Sequence, residues 1–293
     1  MVRGRRPAQD APAAAVFLQR PLPARDEADA VTCCLRRPAR HLPATPTGSA
    51  LKIFVISLPS SRERRALVAH KLGSRKLSFE FIDAVDGRVD KHPYLNNYDE
   101  ASFLVHRRRR AAPGELGCYV SHLLAWEKSV ELNEPIVVLE DDFQLTPDFE
   151  AGLDYVSRFA DQVSFVRLEP LEKHTVMTSD KSAGFSLVKQ LDVGMCMTGY
   201  VITPQGAKKL LAHARTIRAP IDLFLKYTFD HGELIHAVVP HGVYPTHEDS
   251  VIGIDVRNQR EKGFVLGLKR FAYKTFYRFA NLFTNLANGL RRF

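Results

Sequence analysis

The chain has 293 residues, 45% of them hydrophobic and 25% charged, an ordinary balance for a folded protein and enough length for one large α/β domain or two small ones. Its formal net charge of +8 points to an anionic partner without separating nucleic acid, a membrane surface and a phosphorylated substrate. No apolar run approaches the roughly 20 residues that span a bilayer, which excludes an integral membrane protein. The early AAAVFL segment is interrupted by Gln19 and Arg20 before a signal-peptide core forms, so no export is expected. Cys33, Cys34, Cys118 and Cys196 fall in no CxxC spacing, and the adjacent pair is poorly placed to bridge. A reduced, cytoplasmic setting is the simpler expectation.

Residues 1–50 are rich in Ala, Pro and Arg without sustained periodicity, and such a segment buries too little apolar surface to offset the entropy of ordering. A disordered extension is expected there. LKIFVISL then reads as a buried strand, and PSSRERR supplies Ser60 or Ser61 as the N-cap of a helix running to about Leu72 and stopping at Gly73. FEFIDAVDG reads as a second strand ending in an acidic turn through Asp83, Asp86 and Gly87. Strand, helix, strand predicts a right-handed βαβ unit and a mostly parallel sheet covered by helices. Residues 88–110 show no periodicity and contain four consecutive arginines, Arg107 to Arg110, and are read as a long functional loop.

PGELGCYVSHLLAWEKSVELN follows as a helix, with Pro113 at its first position, Glu115 in its first turn and apolar residues at helical spacing. Glu115, Cys118 and His122 share another face at offsets of three and four. IVVLEDDF is a strand that ends in three carboxylates, delivering them to the rim of a sheet, where open α/β folds bind ligands. With a side-chain period of two, Glu140 and Asp142 share a face and Asp141 points away unless the strand turns there. Two hard oxygen ligands in such a place suit magnesium or manganese held together with a phosphate-bearing substrate, whereas an isolated EDD is as compatible with a solvated acidic turn.

Further on, FVRLEP and MCMTGYVIT read as strands, Gly199 marking a close backbone approach to a ligand. PQGAKKLLAHA reads as a helix begun by Thr203 and Pro204, and APIDLFLKYTF as a partly buried segment carrying Asp222. HAVVPHGVYPTHEDS gives a last strand and a loop with His247, Glu248 and Asp249 as further metal or acceptor contacts. In the tail, residues 266–293, Phe276, Phe279, Phe283, Leu286 and Leu290 step along one helical face, Arg270, Lys274 and Arg278 form a basic row, and no acid occurs. That pattern describes an interfacial helix on an anionic membrane, or else a terminal helix packed on the domain with a solvated basic side.

Taken in order, VISLPSSRERR, LGSRKLSFEFIDAVDG, HPYL, PGELGCYVSHLLAWEKS, IVVLEDD, FVRLE, TGYVIT and PID resemble glycosyltransferase family 25, the lipooligosaccharide biosynthesis proteins that include β-1,4-galactosyltransferases, across residues 52–250. The resemblance implies a single GT-A type α/β domain at residues 51–257, before a basic amphipathic tail at 258–293. It further implies an inverting transfer from a UDP-sugar, with a divalent metal (Mn2+ or Mg2+), onto a glycolipid acceptor. Carried onto this sequence, it implies Asp142 and Glu140 as metal ligands, with Glu140 also catalytic, and Asp141 as a ribose or metal contact. Ser57 and Leu58, with Arg62 and Arg65 beyond them, and Asp83 and Asp86 at the next strand's end fall where a parallel sheet holds a nucleotide. Arg64 and Arg65 also fit a solvated helix face.

Glu115 and His122 lie within a matching segment as donor contacts, His122 equally fitting a satisfied, partly buried histidine. Asp222, in the PID that matches the family's PVD-like position, is the expected general base, against an alternative in which it caps the core after Pro220. The chain departs from the family in having Ala112 where Ser or Thr commonly caps the helix, which forfeits about 1 kcal/mol. The expected setting is peripheral, on the cytoplasmic face of the membrane, with no nucleic-acid partner. A catalytically degenerate assembly factor and a basic nucleic-acid-binding protein are the competing readings.

Overall fold

Strand β1 (Lys52–Ser57) is a run of apolar residues buried on both sides, and its alternation sets up the whole molecule. Phe54 and Ile56 enter one hydrophobic cluster, Ile53 and Val55 the other. The same division by parity holds in β3 (Ile136–Glu140) and β8 (Gly199–Ile202), as a period of two requires for a sheet covered on both faces. The computed structural model describes residues 51–171, 176–246 and 260–290. The extension expected at 1–50 and the His247, Glu248 and Asp249 group lie outside the described residues.

The sheet has eight strands in the order β2-β1-β3-β8-β5-β9-β7-β6. They comprise β2 (Phe79–Asp83), β5 (Phe165–Arg167), β6 (Val176–Ser182), β7 (Phe185–Gln190) and β9 (Ile235–Val239) with the three already given. Pairs β1·β2, β1·β3 and β5·β9 are parallel, whereas β8 and β7 run against their neighbours. The sheet is therefore mixed, with most of its strands pointing one way. Helices α3 (Pro113–Leu132) and α5 (Pro204–His213) cover one face with Tyr119, Leu123, Trp126, Ala207 and Leu210. Helices α1 (Arg62–Ser74) and α4 (Phe149–Ser157) cover the other with Val68, Leu72, Phe149 and Leu153. Each Leu, Val or Phe side chain among these contributes about 1.5–3 kcal/mol when removed from water.

Two features of connectivity position the site. From β1 the chain passes through α1 to β2 on one side, then through α3 to β3 on the other side of β1. The C-terminal ends of β1 and β3 thus flank a topological switch point, where open α/β sheets leave a crevice. The second is a pair of glycines. A Cβ on Gly87 would lie 1.9 Å from Pro113 O, and one on Gly117 would lie 2.2 Å from Val85 O, so the loop after β2 closes directly onto the first turns of α3.

Several sequence expectations are corrected. Residues 88–110 are not a bare loop: they hold a 3-10 helix (Pro93–Asn97) and α2 (Glu100–Arg107), N-capped by Asp99, which accepts from Ser102 N at 3.0 Å. A helix of eight residues with Phe103 as its buried residue carries too little period to read. The β6–β7 hairpin turns on Ala183 and Gly184, both at positive φ, as two-residue hairpin loops require. Gly199 serves packing, since a Cβ there would meet Leu139 and Val243 side chains at 3.0–3.2 Å. The carboxylate strand stops at Glu140, and Asp141 and Asp142 form a turn before β4 (Phe143–Leu145), which pairs with β10 (Val243–Pro245).

Beyond two short helices, α6 (Ile221–Lys226) and α7 (Thr228–His231), the tail forms α8 (Phe264–Leu290). It docks by a polar and tyrosine stripe. Arg270 donates to Val105 O at 2.9 Å and to His106 O, and Tyr273 and Tyr277 pack on Tyr227. Lys189 donates to Asn288 O at 3.2 Å. Consequently Arg270 leaves the expected basic row, Phe279, Phe283, Leu286 and Leu290 face outward, and Phe276, though exposed, packs edge-on against Phe229. Among the described residues, no helix is long and apolar enough to cross a membrane.

Candidate active site

The cleft at the switch point is lined from four segments: Ser57, Leu58 and Arg64 from β1 and α1, Val85, Asp86 and Arg88 after β2, Gly114, Cys118, Ser121 and His122 from α3, and Glu140, Asp141 and Asp142 after β3. The turn at the end of β3 brings all three carboxylates to it. Asp141 would point to the opposite face only in a continued strand; the strand stops at Glu140, and the turn through Asp141 and Asp142, the exception the sequence left open, brings Asp141 to the cleft.

Each acid has a different environment. Asp141 is held from two sides, accepting from Ser57 Oγ at 2.7 Å and from Arg64 Nη1 at 2.9 Å. Glu140 turns toward α3, its Oε1 lying 3.2 Å from His122 Nε2 and 3.8 Å from Cys118 Sγ. His122 is fully buried and its Nδ1 sits 3.1 Å from Tyr200 Oη, which in turn accepts from Trp126 Nε1 at 3.0 Å. Asp142 fixes the turn through its carbonyl, which accepts from Thr246 N at 2.6 Å and Oγ1 at 2.7 Å. Its side-chain Oδ1, by contrast, is buried with no hydrogen-bond partner among the described residues. Burial, and then the charges of Glu140 and Asp141, push the Asp142 carboxyl up to about 7.

An orphaned buried oxygen in a cleft that three carboxylates line is a feature that a bound cation would satisfy. Asp142 with Glu140 fits a hard divalent ion by donor type. Burial, followed by the charge of Glu140, also raises the Cys118 thiol well above its usual range.

The remaining expected residues are placed as follows. Ser57, Leu58, His122 and the three acids line the cleft. Arg65 and Asp83 pair with each other, Arg65 also donating to Ser57 O at 2.7 Å and Leu58 O at 3.2 Å, so Arg65 clamps the ends of β1 and β2. Arg62 is exposed outside the lining. Glu115 is drawn away by a buried fork with Arg109, both contacts at 2.6 Å, and accepts from Ala112 N at 2.9 Å. That last bond offsets part of the capping lost at Ala112.

Asp222 stands behind the lining on α6. Its carboxyl is raised by burial, while the Leu223 N–H and Arg107 oppose the shift, and its charge is felt at Cys118. Of the lining residues, the sequence placed Asp86 at a strand end, Cys118 on the helix face shared with His122 and Arg64 on a solvated helix face, and gave no reading of Arg88. Arg64 was a visible candidate on the first helical turn, but nothing in the spacing distinguishes it from Arg62 and Arg65. Behind the cleft, buried Arg167 donates to Glu169, Gly194 O and Cys196 O, while Glu169 Oε2 accepts from Gly199 N at 3.2 Å. These bonds fix the segment that leads into β8.

Comparison with known proteins bears on this geometry. Residues 50–225 match the family described as glycosyltransferase family 25 (LPS biosynthesis protein). The chain is 29% identical over 187 residues to a glycosyltransferase 25 family member of Aedes aegypti, covering 61% of this chain and 31% of that protein. It thus spans about a third of such insect relatives. It is 28% identical over 246 residues to the lacto-N-neotetraose biosynthesis glycosyltransferase LgtE of Neisseria gonorrhoeae, covering 71% of this chain and 81% of that one. It is also 30% identical over 195 residues to a rat protein described as a probable inactive glycosyltransferase 25 family member 3, covering 61% of this chain and 33% of that protein. Among solved structures, a glycosyltransferase involved in glycosylation of the major capsid of PBCV-1 is similar over 69% of this chain and 94% of that one, at 10% identity and a TM-score of 0.34.

Proposed function

The chain belongs to glycosyltransferase family 25, and from that premise we propose that it moves a sugar, galactose in our reading, from a UDP-sugar to a lipooligosaccharide or lipopolysaccharide core acceptor with inversion. The observation that carries this reading is the buried Oδ1 of Asp142 at the β1–β3 switch point, which has no hydrogen-bond partner among the described residues. Asp142 and Glu140 would hold a Mn2+ or Mg2+ ion, which when bound supplies positive charge toward the departing pyrophosphate.

The chain's own residues do the rest. Arg64 and Arg88 bring positive charge to the cleft wall, where guanidinium groups can grip phosphate oxygens. Ser57 and Arg64 hold the Asp141 carboxylate, leaving it oriented for a ribose or metal contact. The acceptor hydroxyl oxygen attacks the anomeric carbon as the bond to the β-phosphate oxygen breaks, and its electron pair leaves with UDP. Asp222 takes the hydroxyl proton. Its raised carboxyl makes it a better base than an ordinary carboxylate. Since Asp222 is not in the cleft wall, this role requires the acceptor to enter between α6 and the acids.

Helix α8 supports peripheral membrane attachment. Its outward face carries Phe279, Phe283 and Leu286, with Lys274 and Arg278 also exposed, and it has no acid. Such a surface suits the anionic inner face of the cytoplasmic membrane, where a glycolipid acceptor would reside. A nucleic-acid role is disfavoured by the arginine run itself, because Arg109 is buried on Glu115 and Arg110 pairs with Glu100 at 3.1 Å.

One observation favours a second reading, loss of catalysis with retention of the fold, namely the similarity to a relative described as probably inactive. A screen of UDP-sugars with Mn2+ and a lipooligosaccharide acceptor separates the two. Divalent-dependent release of UDP coupled to acceptor extension supports the transferase. Tight UDP-sugar binding without turnover of any donor supports the degenerate form.

A further inference from the structure

Glu140 turns its carboxylate toward α3. Its Oε1 completes a group with Cys118 and His122, whose ligand atoms all lie within 4.8 Å of one another. Cys118 and His122 are one helical turn apart on α3, and Glu140 is the last residue of the strand that α3 packs beside. A tetrahedral zinc site, with Zn–S near 2.3 Å and Zn–N and Zn–O near 2.1 Å, separates sulfur from oxygen by about 3.6 Å and nitrogen from oxygen by about 3.4 Å. The corresponding separations here are 3.8 and 3.2 Å.

The surroundings match a metal-binding histidine as well. His122 presents Nε2 to the group while its Nδ1 is held by Tyr200 Oη, itself anchored by Trp126. That is the outer-shell hydrogen bond that fixes the ring of a ligating histidine. All three residues also line the open cleft, so an ion has a path in and a fourth position left for water.

We propose that Cys118, His122 and Glu140 form a binding site for a thiophilic divalent cation of the Zn2+ class, with an open coordination position facing the cleft. A thiolate–imidazole–carboxylate set selects against Mg2+ and Mn2+, which prefer oxygen donors. The site shares Glu140 with the hard-cation pair, so an ion bound here withdraws that carboxylate from Asp142. The proposal does not depend on the transfer reading.

Co2+ added to the full chain, with no sugar nucleotide present, should produce a thiolate-to-cobalt charge-transfer band in the near ultraviolet at one equivalent. Zn2+ should abolish the band, and excess Mg2+ should leave it. Cys118→Ser should remove it, while Cys196→Ser and a Cys33→Ser, Cys34→Ser double variant retain it. Because Cys118 also packs against the core, a second measurement needs no variant. Zn2+ should protect Cys118, identified by its peptide, from alkylation at least tenfold over Mg2+. Absence of the band, its survival in Cys118→Ser, or equal alkylation of Cys118 with and without Zn2+ would overturn the proposal.

Discussion

Asp142 is an acid whose folded environment works against its charge. Burial and the neighbouring Glu140 and Asp141 raise its carboxyl from 3.8 to about 7, so it is the reverse of the usual stabilising carboxylate. The cost to the fold is absent below the unfolded value and grows as pH rises from about 4 to about 7, reaching at most about 4 kcal/mol. Asp142→Asn is therefore expected to melt no lower than the parent at pH 8 in chelator, and higher if the charge cluster is the dominant strain. Thermal unfolding of both proteins at pH 5 and pH 8 checks this, and a variant that melts well below the parent at pH 8 would refute it.

Glu115 shows the opposite case. Its carboxylate is buried against Arg109, and removing one partner of a buried pair leaves the other charge uncompensated, at a cost of about 3–5 kcal/mol. Glu115→Ala should thus lose that much stability by urea unfolding while folded molecules keep their donor affinity. Unchanged stability with lost UDP affinity would return Glu115 to the donor site.

At the scale of elements, α3 serves two ends at once. One face supplies Tyr119, Leu123 and Trp126 to the core, and another supplies Cys118 and His122 to the cleft. The loop after β2 reaches it only because Gly87 and Gly117 have no Cβ. Gly117→Ala should destabilise by about 1–3 kcal/mol, and it should weaken nucleotide binding by moving the wall that carries Val85 and Asp86. Helix α8 is unusual in docking through Arg270, Tyr273 and Tyr277 while its phenyl stripe faces out. Phe279→Glu with Phe283→Glu should therefore abolish co-sedimentation with anionic vesicles and leave the melting temperature within a degree or two. A large loss of stability would show that the stripe is core after all.

The elements also show what was legible. α3 announced itself through Pro113 and a long apolar period, and α8 through its aromatic steps. The direction in which α8 faces was not legible, because its Tyr and Phe stripes are equally periodic and only the partner surface, Tyr227 and His106, decides between them. Glu140 and Asp142 were readable as a pair, but the strand ends at Glu140, two residues before Asp142, and the turn that follows placed Asp141 in the same cleft. Arg64 lay hidden among Arg62 and Arg65, since which arginine reaches Asp141 depends on how α1 sits over β1.

For the molecule as a whole, the parallel half of the sheet followed from apolar strands alternating with helices. The β8 and β7 reversals did not, because antiparallel insertion depends on long-range pairing that local pattern does not carry. Three histidines, His106, His231 and His236, are held down to about 4, chiefly by burial. Their folded values lie below the unfolded one, so stability is full above about pH 6.5 and is lost as pH falls toward 4, by up to about 3 kcal/mol for each. Acid titration of unfolding free energy should show that loss, and His106→Phe should flatten part of it.

The central claim, that the switch-point acids run a metal-assisted sugar transfer, is tested most directly by one assay of the full chain. UDP release from UDP-galactose, coupled to extension of a lipooligosaccharide acceptor, is followed with Mn2+ and with chelator for the parent and Asp142→Asn. Turnover that requires Mn2+ and falls at least about 100-fold in a variant that melts no lower than the parent is the predicted result. Equal turnover in chelator, or full activity in Asp142→Asn, would contradict it.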